Sequence, residues 1–339
     1  MMPEKWFVVD AHSHLVPKKA AALASAADGF DFKAVKKKRA HGIKKTQDIE
    51  DRLRLMDDAG VDLALINTSS WSPQGIKMCR AINDGYAEVM AQYPDRVLAC
   101  AHVPLESGNE IFDELNRAVN ELGFKGVSLV SSTKTFTIDA EELFPLYEVI
   151  GRYDIPVVIH PTLRDGLWGG IKYEMAAHVS REYDIAKATV EIMYGVLRRF
   201  PELKFLIPHH GGGIPALKGR IMAWFEPEGW DVPDHLKNMA KTPRELQILG
   251  LDKAFEELFG KLYFDTAGFG GWIPITEAAT KTIRPDRLCF GTDYPFEIHD
   301  TEDVKGFIEN IKKLSIPETD KRHILGENIM RLFNLRDIA

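Results

Sequence analysis

Short apolar runs rich in β-branched residues recur along the chain, and between them apolar residues return every three or four positions. Eight such runs can be read, at residues 6–12, 62–68, 96–104, 125–132, 156–160, 204–210, 262–267 and 287–293. Most are apolar on both faces, as expected of parallel strands covered by helices rather than of a half-exposed antiparallel sheet. The stretches between them predict helices. Thr46 is a candidate N-cap for a helix over 47–59, with Ile49, Leu53 and Met56 on one face and Gly60 as its stop. Residues 76–93, 109–122, 140–153, 186–200, 275–283 and 304–314 follow the same plan. Eight strands alternating with helices over 339 residues predict an α/β fold, a (β/α)8 TIM-like barrel forming one domain, 1–339. A doubly wound sheet would instead carry a glycine fingerprint after its first strand, where this chain has His12-Ser13-His14. No linker, low-complexity tract or internal repeat interrupts the alternation.

Three connections exceed the usual length of about two to six residues. Residues 15–45 follow the first strand and 161–183 the fifth, so both belong to the C-terminal face of the barrel, as walls or lids of a pocket. Residues 226–260, between the sixth helix and seventh strand, form an insertion nominally at the opposite end.

Composition narrows the picture. The chain is 45% hydrophobic and 27% charged, and its formal net charge of −7 argues against a nucleic-acid surface. The one basic run, Lys36-Lys37-Lys38-Arg39 with Lys44-Lys45 beyond it, reads as a solvated face or lid edge. Cys79, Cys100 and Cys289 are scattered, with no pair at metal-ligand spacing, which fits a reducing, cytoplasmic setting. The expectation is no signal peptide, no membrane span and no nucleic-acid partner.

The candidate chemistry lies at the ends of the strands. His12 and His14 alternate to one side of the first strand, about 7 Å apart at Cα, close enough to share a metal ion. A catalytic zinc site needs a third protein ligand and an open position. In a barrel the strand tips converge on one face, so His160, at the tip of the fifth strand, points to the same mouth. Alone it would read as a structural histidine. Asp293 ends the eighth strand, beside the first if the barrel closes; its alternatives are ligand, proton carrier and helix cap. The sixth strand ends in His209-His210-Gly211-Gly212-Gly213, and only one of two adjacent histidines can face the pocket squarely. An imidazole near a metal-bound water suits acid/base work. The glycines read either as a tight turn or as a helix N-terminus open to an anionic oxygen.

These motifs together resemble the amidohydrolase superfamily: His12-Ser13-His14, His160, His210-Gly211-Gly212 and Gly291-Thr292-Asp293-Tyr294-Pro295. Within it they are most similar to the branch containing aminocarboxymuconate-semialdehyde decarboxylase and the hydroxybenzoate decarboxylases. The likeness runs end to end and includes Arg52-Leu53-Arg54-Leu55-Met56-Asp57 and Ile324-Leu325-Gly326-Glu327-Asn328. It implies one divalent metal ion, zinc first and manganese second, held by His12, His14, His160 and Asp293. It also implies that His210 stands beside the metal-bound water as acid/base, with Asp293 sharing the proton transfer. Many amidohydrolases bridge two metals with a carboxylated lysine on the fourth strand; here that strand reads Gly126-Val127-Ser128-Leu129-Val130, and the nearest lysine, Lys134, lies beyond its tip.

The resemblance implies a metal-dependent decarboxylase, free of organic cofactor, acting on a small unsaturated or aromatic carboxylate. A metal-dependent hydrolase of an ester, lactone or amide uses nearly the same parts and stands second; a metal-stabilised binding protein without turnover stands third. Candidate substrate contacts are Arg164, whose guanidinium can take a carboxylate bidentately, and Trp71 and Trp168, which can stack on a planar ligand. Arg39 falls roughly where relatives carry a carboxylate-binding arginine. His41, His102, His178 and His299 read as structural. A homodimer is implied by the resemblance.

Overall fold

The computed structural model describes residues 6–26, 44–162, 176–225 and 255–335. The chain alternates strands and helices from end to end. Its elements are β1 (Val9–His14), α1 (Lys18–Ala26), α2 (Ile49–Ala59), β2 (Leu63–Asn67), α3 (Ile76–Gln92), β3 (Val97–Ala99) and β4 (Ala101–His102). There follow α4 (Asn109–Asn120), β5 (Val127–Val130), α5 (Phe144–Tyr153), β6 (Val157–His160), α6 (Arg181–Glu191), β7 (Phe205–Ile207) and α7 (His209–Phe225). The last elements are α8 (Phe255–Phe259), β8 (Tyr263–Asp265), α9 (Ile273–Thr282), β9 (Leu288–Cys289), α10 (Thr301–Lys312), α11 (Glu318–Arg322) and α12 (Asn328–Leu332).

Every strand pairing is parallel. The strands run β1-β2-β3 in one sheet and β4-β5-β6-β7-β8-β9 in the other, and the two meet at Cys100, where the single predicted third strand is broken. The other end of the series is joined by main-chain bonds: Ala11 N–H donates to Phe290 O at 2.7 Å, His14 N–H to Tyr294 O at 2.7 Å and Asp293 N–H to His12 O at 2.9 Å. First and last strands therefore lie side by side, as in the expected (β/α)8 arrangement.

The two-faced apolar pattern of the strands has a direct packing cause. Val9, Ala11, Leu63, Leu65, Leu98, Val158, Leu206 and Cys289 form one buried cluster inside the ring, floored by Ile329, Leu332 and Phe333 of the C-terminal segment. Their alternates, Ala64, Ile66, Val127, Leu129, Val157, Ile159, Phe205, Ile207 and Phe264, belong to a second cluster against the helices. Strands β2, β3, β6, β7, β8 and β9 thus each contribute to both cores, which requires apolar residues on both faces.

Local differences from the sequence expectation have identifiable causes. Asp48, not Thr46, caps α2: its side chain accepts the Asp51 N–H at 2.9 Å, while Gly60 ends the helix at φ 78° as expected. The connection after β1 contains α1, and the connection after β6 already contains a π-turn at Ala176–Ser180 and the start of α6. Arg39, His41, Arg164 and Trp168, with residues 226–254 of the insertion, lie outside the described residues. Among the described residues no helix is long and apolar enough to cross a membrane.

Candidate metal centre

The ends of β1, β6, β7 and β9 bring four imidazoles and a carboxylate to one buried point. His12 and His14 come from β1, with ring centroids 5.2 Å apart; His160 closes the end of β6, 5.3 Å from His14 and 5.8 Å from His12. His209, just beyond β7, lies 5.3 Å from His12 by the same measure. Asp293 follows β9, with Oδ1 2.8 Å from His14 Nε2 and 3.9 Å from His12 Nε2, and Oδ2 3.8 Å from His209 Nε2. Two triads, His12/His14/His160 and His12/His209/Asp293, have all their donor atoms within 4.8 Å of one another.

The outward nitrogen of each ring is fixed by a specific partner. His12 Nδ1 donates to Asp265 Oδ2 at 2.8 Å, His14 Nδ1 to Asn67 O at 3.0 Å, His160 Nδ1 to Pro161 O at 2.9 Å and His209 Nδ1 to Glu182 Oε1 at 2.8 Å. In every case this leaves Nε2 directed inward, as the nitrogen with which histidine binds metal once any proton on it is displaced. Three atoms of the cluster, His12 Nε2, His209 Nε2 and Asp293 Oδ2, are buried with no hydrogen-bond partner among the described residues. Orphaned buried polar atoms are costly, and a divalent cation held by His12 Nε2 and Asp293 Oδ2 would satisfy two of the three, with His209 Nε2 facing it. The donor set fits such an ion.

Further charges surround this first layer. Asp265 also accepts the His209 N–H at 2.9 Å, so one carboxylate holds the ring of His12 and the main chain of His209. Arg181, from the first turn of α6, donates through Nε to Glu182 Oε1 at 2.8 Å and through Nη2 to Glu297 Oε1 at 2.7 Å, and Nη2 stands 3.8 Å from Asp293 Oδ2. Asp10, one turn of the pleat below His12, is clamped by Arg52 of α2 and accepts the Thr292 N–H at 3.0 Å and Thr292 hydroxyl at 2.6 Å. That buried pair ties β1 to the segment carrying Asp293.

Burial opposes charge throughout the cluster, and the carboxylates decide the balance. Burial alone would depress His12, but Asp265, Asp293 and Asp10 outweigh it and hold its pKa up to about 9. Burial would raise Asp293, yet His14, His12 and His209 keep it well below the usual carboxylate range, and Asp265 is lowered against burial by His12 and His209. His160 is pushed well below its ordinary value, first by burial and then by His14 and His12. The site is thus anionic at its acids and poised to attract a cation.

The structure does not bring His210 to this point. Its ring turns to the other side, with Nε2 3.2 Å from Thr276 Oγ1 and the ring 5.5 Å from that of Phe269; burial lowers its pKa to about 4. The histidine placed against Asp293 is its neighbour. The reason is local: His209 and His210 both adopt positive φ, 55° and 51°, so the chain leaves β7 in a left-handed turn, and strand alternation no longer governs where their rings point. Of the other expected residues, Trp71 sits in the turn after β2, buried in the outer core, and Lys134 is exposed. His102 is wholly buried, and burial lowers its pKa to about 4. It accepts the Thr68 N–H at 3.2 Å beside Asn67, whose side chain donates to Ser128 Oγ at 2.7 Å. Sequence reasoning missed Asp265, Glu182 and Arg181. An acid ending an otherwise apolar strand was a readable signal for Asp265; the other two fall in what reads as loop.

A family model described as Amidohydrolase matches residues 9–335 of the chain. Among curated proteins, gamma-resorcylate decarboxylase of Polaromonas sp. strain JS666 is 28% identical over 313 residues, covering 85% of this chain and 88% of that one. The 2-amino-3-carboxymuconate-6-semialdehyde decarboxylase of Dictyostelium discoideum is 27% identical over 303 residues, covering 85% and 77%. Among solved structures, a dihydroxybenzoic acid decarboxylase from Polaromonas sp. JS666, with bound manganese and the inhibitor 2-nitroresorcinol, superposes with a TM-score of 0.76 at 23% identity, covering 97% of each chain.

Proposed function

The chain belongs to the amidohydrolase family, and we propose that within it the protein is a metal-dependent decarboxylase of a small aromatic or unsaturated carboxylate, free of organic cofactor, with residues 1–339 as one catalytic domain. The observation that carries this reading is the buried convergence of His12, His14, His160 and Asp293 with His209 beside them, three of the donor atoms being unpartnered. The curated relatives named above are decarboxylases of such acids.

In this reading His12, His14, His160 and Asp293 hold the ion. When bound, it supplies a positive centre for the substrate carboxylate or a neighbouring oxygen and for the charge that builds as carbon dioxide leaves. Three imidazoles and a carboxylate suit zinc and manganese alike; zinc is our first assignment, and manganese is the ion bound in the similar Polaromonas enzyme. Breaking the bond to the carboxylate leaves an electron pair on carbon, which a proton must meet. His209 takes the acid/base place first expected of His210, because its Nε2 faces the same space as Asp293 Oδ2. Asp293 is the second candidate for carrying that proton. Arg181, 3.8 Å from Asp293, favours the ionised carboxylate there. Arg164 and Trp168, after β6, are the proposed contacts to the planar acid, and Trp71, expected to stack on it, is instead enclosed in the outer core. The homodimer rests on the family resemblance; a cytoplasmic setting is supported by three cysteines that are all buried and unpaired.

The test is release of carbon dioxide from a panel of hydroxybenzoates and muconate-type acids by metal-loaded protein. Turnover of at least one acid is expected. No release from any, with hydrolysis of esters or lactones by the same preparation, would transfer the site to the hydrolase reading.

A further inference from the structure

We infer that Glu182 is a positioning residue for His209, delivered by helix α6 to hold the imidazole proton on Nδ1 so that Nε2 stays directed at Asp293. This rests on the reading of His209 as the acid/base group and adds the element that fixes it. A neutral imidazole carries one proton, so an acceptor on Nδ1 decides that Nε2 keeps the lone pair. Glu182 Oε1 provides that acceptor at 2.8 Å, and the opposite nitrogen is the buried, unpartnered atom 3.8 Å from Asp293 Oδ2. Glu182 is itself held: the same Oε1 accepts the Arg181 Nε–H at 2.8 Å, and Arg181 reaches on to Glu297 at 2.7 Å, in the segment that follows Asp293.

The glycines of the turn make this reach possible. A Cβ on Gly212 would lie 2.1 Å from the carbonyl oxygen of Glu182 and 2.7 Å from the Ala186 nitrogen, both backbone atoms of α6, so only a residue without a side chain lets that helix approach. A Cβ on Gly268 would stand 2.3 Å from the His209 ring. The imidazole therefore occupies a slot left open by Gly268 on one side and closed by Glu182 on another. Gly211-Gly212-Gly213 does more than turn the chain: at Gly212 it admits the helix that orients the histidine.

The experiment compares zinc-loaded wild-type protein with Glu182→Ala and Glu182→Gln. Imidazole tautomers are read from nitrogen-15 spectra of histidine-labelled resting protein, with His209 assigned by its loss in His209→Gln. Metal content, and kcat and KM on an acid that the wild type turns over, are measured on the same samples. The expected result is an Nδ1–H tautomer at His209 in wild type, retained in Glu182→Gln, whose amide oxygen still accepts, and lost in Glu182→Ala. With it, Glu182→Ala should lose about 10- to 100-fold in kcat with KM little changed and metal retained, while Glu182→Gln loses less than about tenfold. Persistence of the wild-type tautomer in Glu182→Ala would overturn the inference, as would loss of metal in parallel with activity. If the wild type releases no carbon dioxide from any acid, the functional reading fails, while the tautomer comparison still decides the role of Glu182.

Discussion

Single residues set the electrostatics of the centre, and Asp265 shows how much one carboxylate can control. It fixes the His12 ring through Nδ1 and accepts the main-chain N–H of His209, so both depend on it. It is also the leading carboxylate among those that hold His12 up to about 9, which means that at neutral pH the metal-free protein keeps a proton that the ion must displace. Metal affinity should therefore fall as pH drops below about 9. Asp265→Asn should weaken binding by about 10- to 100-fold at neutral pH, as removing the carboxylate behind a ligating histidine commonly does. It should also move the onset of the acid-side fall to lower pH, because His12 loses its main support. Chelator competition across pH measures both. At this scale the sequence was legible where chemistry and spacing coincide, as at His12 and His14, two positions apart on one strand. It was illegible at His209 and His210, because strand alternation offers two faces and the positive-φ turn obeys neither.

Elements decide which residues meet. Helix α6 begins at Arg181, inside a stretch that reads as loop, so Glu182 and Arg181 were hidden although the later part of the helix was expected. The third strand is likewise one apolar run in the sequence but two short strands in the fold, interrupted at Cys100. His102, on β4, is buried within a polar network running from Ser128 through Asn67, the residue whose carbonyl receives His14 Nδ1–H. This gives the element a pH signature. Burial lowers His102 to about 4, while the unfolded chain protonates it near 6.5, so the unfolded state binds more protons between these values. Its contribution is complete above about 6.5 and is lost as pH falls to about 4, amounting to about 3 kcal/mol. Urea unfolding at pH 7, 6, 5 and 4 should show a steep decline in wild type and a shallower one in His102→Gln. Parallel declines would mean that His102 is not neutral in the fold.

At the scale of the whole molecule, the alternation of runs and helices was enough to foresee the barrel, because two stacked cores demand strands apolar on both faces. What alternation cannot encode is the ring's seam. That depends on Asp10, held by the buried Arg52, and on its bond to Thr292 together with main-chain bonds between β1 and the chain after β9, these last contacts joining residues more than 270 positions apart. The seam matters because it sets His12 and His14 beside Asp293, and on that the central claim depends. The most direct test is carbon dioxide release by one protein preparation before chelation, after complete removal of metal, and after adding back stoichiometric zinc or manganese. About one divalent ion per chain is expected, with turnover abolished on removal and restored by one of the two ions. Undiminished carbon dioxide release by the metal-free protein would contradict the claim.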